Sequence, residues 1–296
     1  MSIDQTGFRA HLASGSTTVA RAWDVTRRDG AVLGFTDHDR DLAFDDLTYT
    51  AQTGLSAQTM SQSTGLAVDN AEALGILNSE QVREEDIRAG RYDGAEVRAW
   101  LVNWQDTAQR MLRFRGRIGE VVQAGPGFRA DLRGMTEALN EGRGFAYQHV
   151  CSAVLGDGRC KFDLGQGGFS TELPIIEQED RRIFRLGPMA DFVAGWFERG
   201  RLVVLDGAAA GLPGVIKFDA QRAEGREIEL WEALGAEVKA GDRVRLEAGC
   251  DKRAETCKAK FGNFLNFRGF PTIPGEDWLT AYPVRGKAND GGRRST

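Results

Sequence analysis

Histidine and proline are both scarce in this chain, with three and seven copies among 296 residues. Three scattered histidines (His11, His38, His149) leave little material for histidine-based catalysis or a histidine-rich metal site. No HExxH, GxSxG or P-loop frame occurs, and "GDGRCK" (Gly156–Lys161) lacks both the GxxxxGK[ST] spacing and a leading apolar strand. The serines have no histidine partner in any recognisable signature, so no catalytic residue and no enzymatic activity are expected. Apolar runs stay well short of the roughly 18 residues that a membrane-crossing helix needs, so no membrane span is expected. The opening stretch "MSIDQTGFRAHLAS" has no basic segment leading into an apolar one, so a secretory signal is not expected there. Synthesis and folding in a reducing cytoplasm follow, where structural disulfides are uncommon.

What the chain does have is glycine, 37 copies, alongside 41% hydrophobic and 27% charged residues. Abundant turn residues and few prolines suit short strands better than a helical bundle. Strands are expected in the segments around Asp29-Gly30, whose glycine accepts the positive φ of a tight hairpin turn, and in "LTYTA". Further strands are expected over Ala95–Trp104, Arg110–Ala124 and Gly127–Met135. A helix is predicted over Asn78–Ala89, capped by Ser79 and stopped by Gly90, and shorter ones over Thr136–Glu141 and Ala190–Phe197. Beyond a polar, glycine-punctuated stretch from Cys151 to Gly168, strand-like pieces resume at Glu172–Glu177 and Arg182–Leu186, then in "GRLVVLDG", "LPGVIKFDAQRAEGREIELWEAL" and "GDRVRLEAG". The expected fold is therefore mainly β with a few short helices. It comprises a β-rich module over 1–148, a cysteine-bearing module over 149–286 and a disordered tail over 287–296.

Charge is uneven. From Cys250 to the end there are nine Lys or Arg against five Asp or Glu, a balance of +4, so the first 249 residues carry −9 of the net −5. Such a modest basic end fits an acidic neighbouring subunit, a sulfide cluster or nucleic acid.

The four cysteines fall in two pairs, Cys151-x8-Cys160 and Cys250-x6-Cys257, with 89 residues between the pairs. Zinc knuckles use about two to four intervening residues, and these loops are wider. Both pairs lie in polar or charged segments beside Arg159, Lys161, Lys252, Arg253, Lys258 and Lys260, which would favour thiolates. Spacing leaves three readings open: four unrelated buried thiols, a metal or iron–sulfur site, or two disulfides.

The blocks "CSAVLGDGRCKF", "GCDKRAETCKAKFGN" and "NFRGFPTIPGED" resemble the C-terminal signature of phage tail-tip proteins of the lambda-type minor tail protein L family. The wider pattern, with "GFTDHDRDLAF", "AGRYDGAEVRAWLVNW" and "RGRIGEVV", is similar to the hub proteins of gene transfer agents and related siphophages. The resemblance implies a [4Fe-4S] cluster held by Cys151, Cys160, Cys250 and Cys257. It also implies a tail-tip or baseplate hub subunit, assembled in the bacterial cytoplasm. Such a subunit would be a homotrimer about the tail axis, joining the distal tail protein to the central fibre or tail-tip protein, with DNA passing through its channel. Alternatives from other classes are a cytoplasmic iron–sulfur redox protein and a zinc-stabilised interaction module.

Two further motifs carry blander readings. In "TDHDRD", Asp37, His38, Asp39 and Asp41 suggest a divalent-metal or general-base site, but alternation across a turn sends neighbours to opposite faces and Asp is a common turn former. Phe261, Phe264, Phe267 and Phe270 recur every third residue. Such rings could stack on single-stranded nucleic acid, but they more often pack over a site or into a neighbouring subunit. His149, two residues before Cys151, could donate a hydrogen bond to sulfide, but surface packing is the favoured reading.

Overall fold

The computed structural model describes residues 3–51, 55–59, 70–75, 83–124, 127–135, 144 and 146–273. The chain divides into two compact units, Met1–Arg143 with Leu234–Glu237, and Gly144–Ala233 with Val238–Thr296. Both are β-rich, as expected.

In the first unit, helix α1 (Gln5–Ala13) begins at Asp4, whose carboxylate accepts the Gly7 amide. A seven-stranded antiparallel sheet follows in the order β2-β1-β7-β8-β9-β6-β5. Its strands are β1 (Val19–Thr26), β2 (Val32–Thr36), β5 (Leu55–Thr59), β6 (Asn70–Gly75), β7 (Glu96–Asn103), β8 (Arg110–Ala124) and β9 (Gly127–Gly134). A two-stranded ribbon of β3 (Leu42–Phe44) and β4 (Leu47–Tyr49) completes the unit's sheets. The Asp29-Gly30 turn joins β1 to β2, with Gly30 at φ 87°. One face of the sheet buries Trp23, Val25, Phe35, Val97, Ala99 and Phe114. Opposite neighbours Ala22, Trp100 and Val102 pack with Phe44 and Tyr49. Between them Asp24, fully buried, accepts from Tyr49 Oη, Trp100 Nε1 and Arg98 Nε, so no charge is left unpaired there.

The helix expected over Asn78–Ala89 is a single turn in its described part, α2 (Glu84–Arg88). Its N-terminal residue, Arg83, makes no side-chain cap, and Ser79 lies outside the described residues, as does the Thr136–Glu141 segment.

The second unit is built on a closed barrel of six strands. These are β10 (Ser170–Glu179), β11 (Ile183–Leu186), β12 (Arg201–Val204), β13 (Pro213–Arg222), β14 (Gly225–Leu230) and β15 (Arg243–Glu247), paired in the order β10-β11-β14-β13-β12-β15. Period-two alternation sends Phe184, Leu202, Ile216, Ile228, Val244 and Leu246 into the interior. One inward position is a charge: Arg226 on β14, paired with Asp219 on β13, both side chains fully buried. The guanidinium donates to both Asp219 oxygens and to the carbonyls of Phe192 and Val193.

That pair explains a departure from expectation. Ala190–Phe197 is a run of turns rather than a helix. Arg226 takes the Phe192 and Val193 carbonyls, while the Gly195 amide goes to the Asp219 carbonyl and the Phe197 amide to its carboxylate. Gly195 also sits at φ 76°, outside helical space. The groups an α-helix would pair internally are committed elsewhere.

Candidate functional site: a four-cysteine cavity

Beyond β15 the chain makes a tight passage that delivers the second cysteine pair. A Cβ on Gly249 would stand 1.6 Å from the Glu198 carbonyl oxygen, and one on Gly200 would stand 2.0 Å from that of Glu247. Only glycine fits where the two backbones cross. Ala248 and Gly249 donate to the carbonyls of Phe169 and Trp196, fixing the residue that follows, Cys250. Helix α3 (Ala254–Ala259) then carries Cys257 on its buried side. Its entry is shaped by Asp251, which accepts the Arg253 amide and the Thr256 hydroxyl.

The first pair sits on the 151–160 loop. Asp157 folds it, accepting the amides of Val154, Arg159 and Cys160, and these donors hold its carboxyl below the usual carboxylate range. The Cys151 amide donates to the Lys252 carbonyl at 2.8 Å, which joins the two loops directly.

All four thiols line one cavity with Ala153, Leu155, Phe261, Asn266 and Phe267. None is in a disulfide, so that reading of the spacing is not what the structure shows. Cys160, Phe162, Ala248 and Phe261 form the buried floor, with Cys151, Cys250, Phe169 and Trp196 packed against it. No group of three or more His, Cys, Asp or Glu side chains among the described residues is arranged to hold a single metal ion.

The sequence suggested that nearby lysines would favour thiolates. Burial wins instead. It pushes the Cys257 thiol up to about 11, helped by repulsion from Cys250, Cys151 and Cys160. It also raises Cys250, against the opposing pull of the Lys252 amide and charge. Two of the lysines are occupied with carbonyls: Lys252 Nζ donates to Ala153, and Lys260 Nζ to Trp196 and Gly249. Burial lowers the Lys260 pKa, and its ammonium lies 4.1 Å from the Trp196 ring centroid.

Two residues that sequence reasoning missed close the cavity. Asn263 donates through Nδ2 to the Cys160 carbonyl at 2.8 Å and reaches its sulfur at 3.5 Å, while its own amide bonds the Cys257 carbonyl. The Arg268 amide reaches Cys151 Sγ at 3.4 Å. The only signal for Asn263 was Gly262, at φ 57°, ending the helix just before it. His149 makes no hydrogen bond to sulfur; its ring faces the Pro271 carbonyl at 3.4 Å.

The other motifs resolve plainly. Asp37 and Asp41 accept the amides of Arg21 and Ala51, and His38 accepts that of Arg40 and stands 3.1 Å from Asp39, so "TDHDRD" is turn chemistry. The phenylalanine series splits. Phe261 packs edge-on to Phe162 inside, Phe264 stacks on Phe267, and Phe270 meets Tyr147.

Comparison with known proteins gives the setting. Residues 5–163 match the family described as baseplate hub protein, N-terminal attachment domain. Residues 195–277 match the family described as phage conserved hypothetical protein BR0599. Each match contains one of the two cysteine pairs. No curated protein matches. A chain of a solved structure, the virion of a native gene transfer agent particle, is similar at 55% identity with a TM-score of 0.91, over 97% of this chain and 99% of that one. The expected resemblance to hub proteins of the gene transfer agent type is borne out on both counts, and the chain belongs to the baseplate hub family.

Proposed function

We propose that this chain is a structural subunit of the tail tip of a phage-like particle of the gene transfer agent type. The observation that carries the reading is the near full-length similarity to a chain of such a virion. In this reading residues 1–148 form a hub or ring module and 149–286 a cysteine module. The chain stands as a homotrimer about the tail axis, between the distal tail protein and the central fibre, and DNA leaves through its channel. Its work lies in interfaces, with no reaction assigned to it.

The cysteine module fits a [4Fe-4S] cluster held by Cys151, Cys160, Cys250 and Cys257. The donor set is all sulfur, it lines a single cavity, and amide donors from Asn263 and Arg268 face two of the sulfurs. A polynuclear group also needs its sulfurs spread more widely than one zinc ion does, in keeping with the lack of a three-ligand grouping among the described residues. Bound there, the cluster would tie together two loops about ninety residues apart in sequence and so staple the module's fold. The chain's residues shape the cavity and exclude solvent, with Phe261 and Phe267 as its apolar wall.

The test is anaerobic purification of the full chain. Absorbance near about 400 nm, with iron and acid-labile sulfide in equal amounts, is the expected result. A colourless protein carrying stoichiometric zinc would overturn the cluster assignment while leaving the hub assignment intact. A copy of the chain absent from purified particles would overturn the hub assignment.

A further inference from the structure

The loop that closes the sulfur cavity also carries a surface with no partner in this chain's described residues. Leu265, in the 3-10 helix Phe264–Asn266, is 97% exposed, and Phe264 beside it is 45% exposed. Tyr147, 73% exposed, packs on Phe270, and Val150 and Val154 are exposed as well. An almost wholly exposed leucine beside a half-exposed phenylalanine gives this turn an apolar tip.

The tip is also held rigid. Phe261 is buried at its start, Asn263 bonds the Cys160 carbonyl, the Arg268 amide reaches Cys151 Sγ, and the Phe270 amide bonds the Gln148 carbonyl at 2.9 Å. Pre-ordering of this kind removes much of the entropy that an interface otherwise loses on binding.

Charge around the tip is predominantly positive. Asp157, Asp163 and Asp251 accept backbone amides, with Asp163 exposed and the other two half-buried. Lys161, Arg253, Lys258 and Arg268 are exposed and form no ion pair with a carboxylate among the described residues; Glu255 is the one exposed acid on α3. Arg253 lines the same cavity as Asn266 and Phe267, so its charge lies beside the tip.

We propose that the Leu265 tip is a docking knob for a different polypeptide, one that presents an apolar pocket rimmed by carboxylates. Leu265 offers no ring to a base, and the Phe264 ring is stacked on Phe267 with centroids 5.6 Å apart, so the knob suits a protein pocket better than single-stranded nucleic acid. A two-fold pairing of the knob with itself would bring its own cations together, which disfavours a second copy. The proposal rests on the hub reading, since it supplies the surface through which that subunit would hold its neighbour.

The experiment uses assembled particles in which Leu265 is replaced by the photo-crosslinking residue p-benzoylphenylalanine. The expected product joins position 265 to a different tail polypeptide, at apolar residues flanked by Asp or Glu. Pairing Arg253→Glu with Lys258→Glu in that chain should cut the product about fivefold or more, and high salt should weaken it in the same direction. Separately, Leu265→Asp should weaken retention of the partner about tenfold or more, as loss of a central anchor does. Because Leu265 is almost fully exposed, this variant leaves the fold intact. A chain incorporated normally that crosslinks to nothing, to DNA or to another copy of itself overturns the docking proposal and spares the hub reading. So does a Leu265→Asp particle that keeps its partner. An unaltered chain missing from purified particles overturns both.

Discussion

At the residue scale, the most telling groups are the two thiols whose ionisation the fold opposes. Burial and the neighbouring sulfurs raise Cys257 to about 11, and Cys250 also moves up. Between the ordinary thiol pKa and that raised value, the folded chain without a group on sulfur binds more protons than the unfolded chain. Its stability therefore falls as pH rises from about 9 toward 11, and is unaffected by these thiols below about 8. Urea unfolding of iron-free protein at a series of pH values checks the sign; a rise in stability over that window would contradict it. Loading with the proposed iron–sulfur cluster would displace these protons, so reconstitution should be faster at pH 8.5 than at pH 7, by up to about thirtyfold per thiol displaced. Asn263 makes a separate case. Asn263→Ala removes a donor from the Cys160 carbonyl and should destabilise the second unit by about 1 kcal/mol, measured in the same unfolding assay.

At the element scale, the barrel and the cysteine loops share one dependency, the interior pair of Asp219 and Arg226. Replacing Arg226 by Met leaves a fully buried carboxylate without its partner and frees the 192–197 turns that lead to the glycine crossing before Cys250. The expected loss is about 3–5 kcal/mol, while Asp219→Leu combined with Arg226→Met should recover much of it. If the double variant is no more stable than the single one, the pair is doing more than neutralising charge. Gly249→Ala tests the crossing itself, since its methyl has no space beside the Glu198 carbonyl and must push Cys250 out of the cavity wall. Much of this architecture was legible beforehand. β8 runs over the expected Arg110–Ala124, and β7 falls within Ala95–Trp104, because their alternation and flanking glycines are local signals. The turns over 190–197 were not legible, because what breaks that helix is a guanidinium 34 residues beyond Phe192 in sequence. The cysteine positions were readable from spacing and resemblance. The hydrogen bonds from Asn263 and Arg268 that close the cavity were not, because they depend on where a turn more than one hundred residues away comes to rest.

At the scale of the whole molecule, the four sulfurs belong to a single compact unit. Cys151, Cys160, Cys250 and Cys257 all fall within Gly144–Ala233 and Val238–Thr296, while the seven-stranded sheet belongs to the other unit. The two sheets have separate cores, one centred on Trp23 and Phe114 and the other on the barrel interior. Loss of the sulfur centre should therefore act on one unit and spare the other. In the proposed cluster each cysteine would help tie two loops about ninety residues apart, and a staple of that reach restrains the unfolded chain most, so substituting any one by Ser should loosen the unit. Under limited proteolysis such variants should be cut first between 146 and 273, while a fragment containing β1–β9 persists. Calorimetry should show the transition of the cysteine-bearing unit moving down and the other holding still. Particle assembly should fail in the same variants, because the docking tip is anchored to Cys151 and Cys160 and loses its shape with them. Four Ser variants that all assemble normally would mean that the sulfurs hold nothing the particle needs.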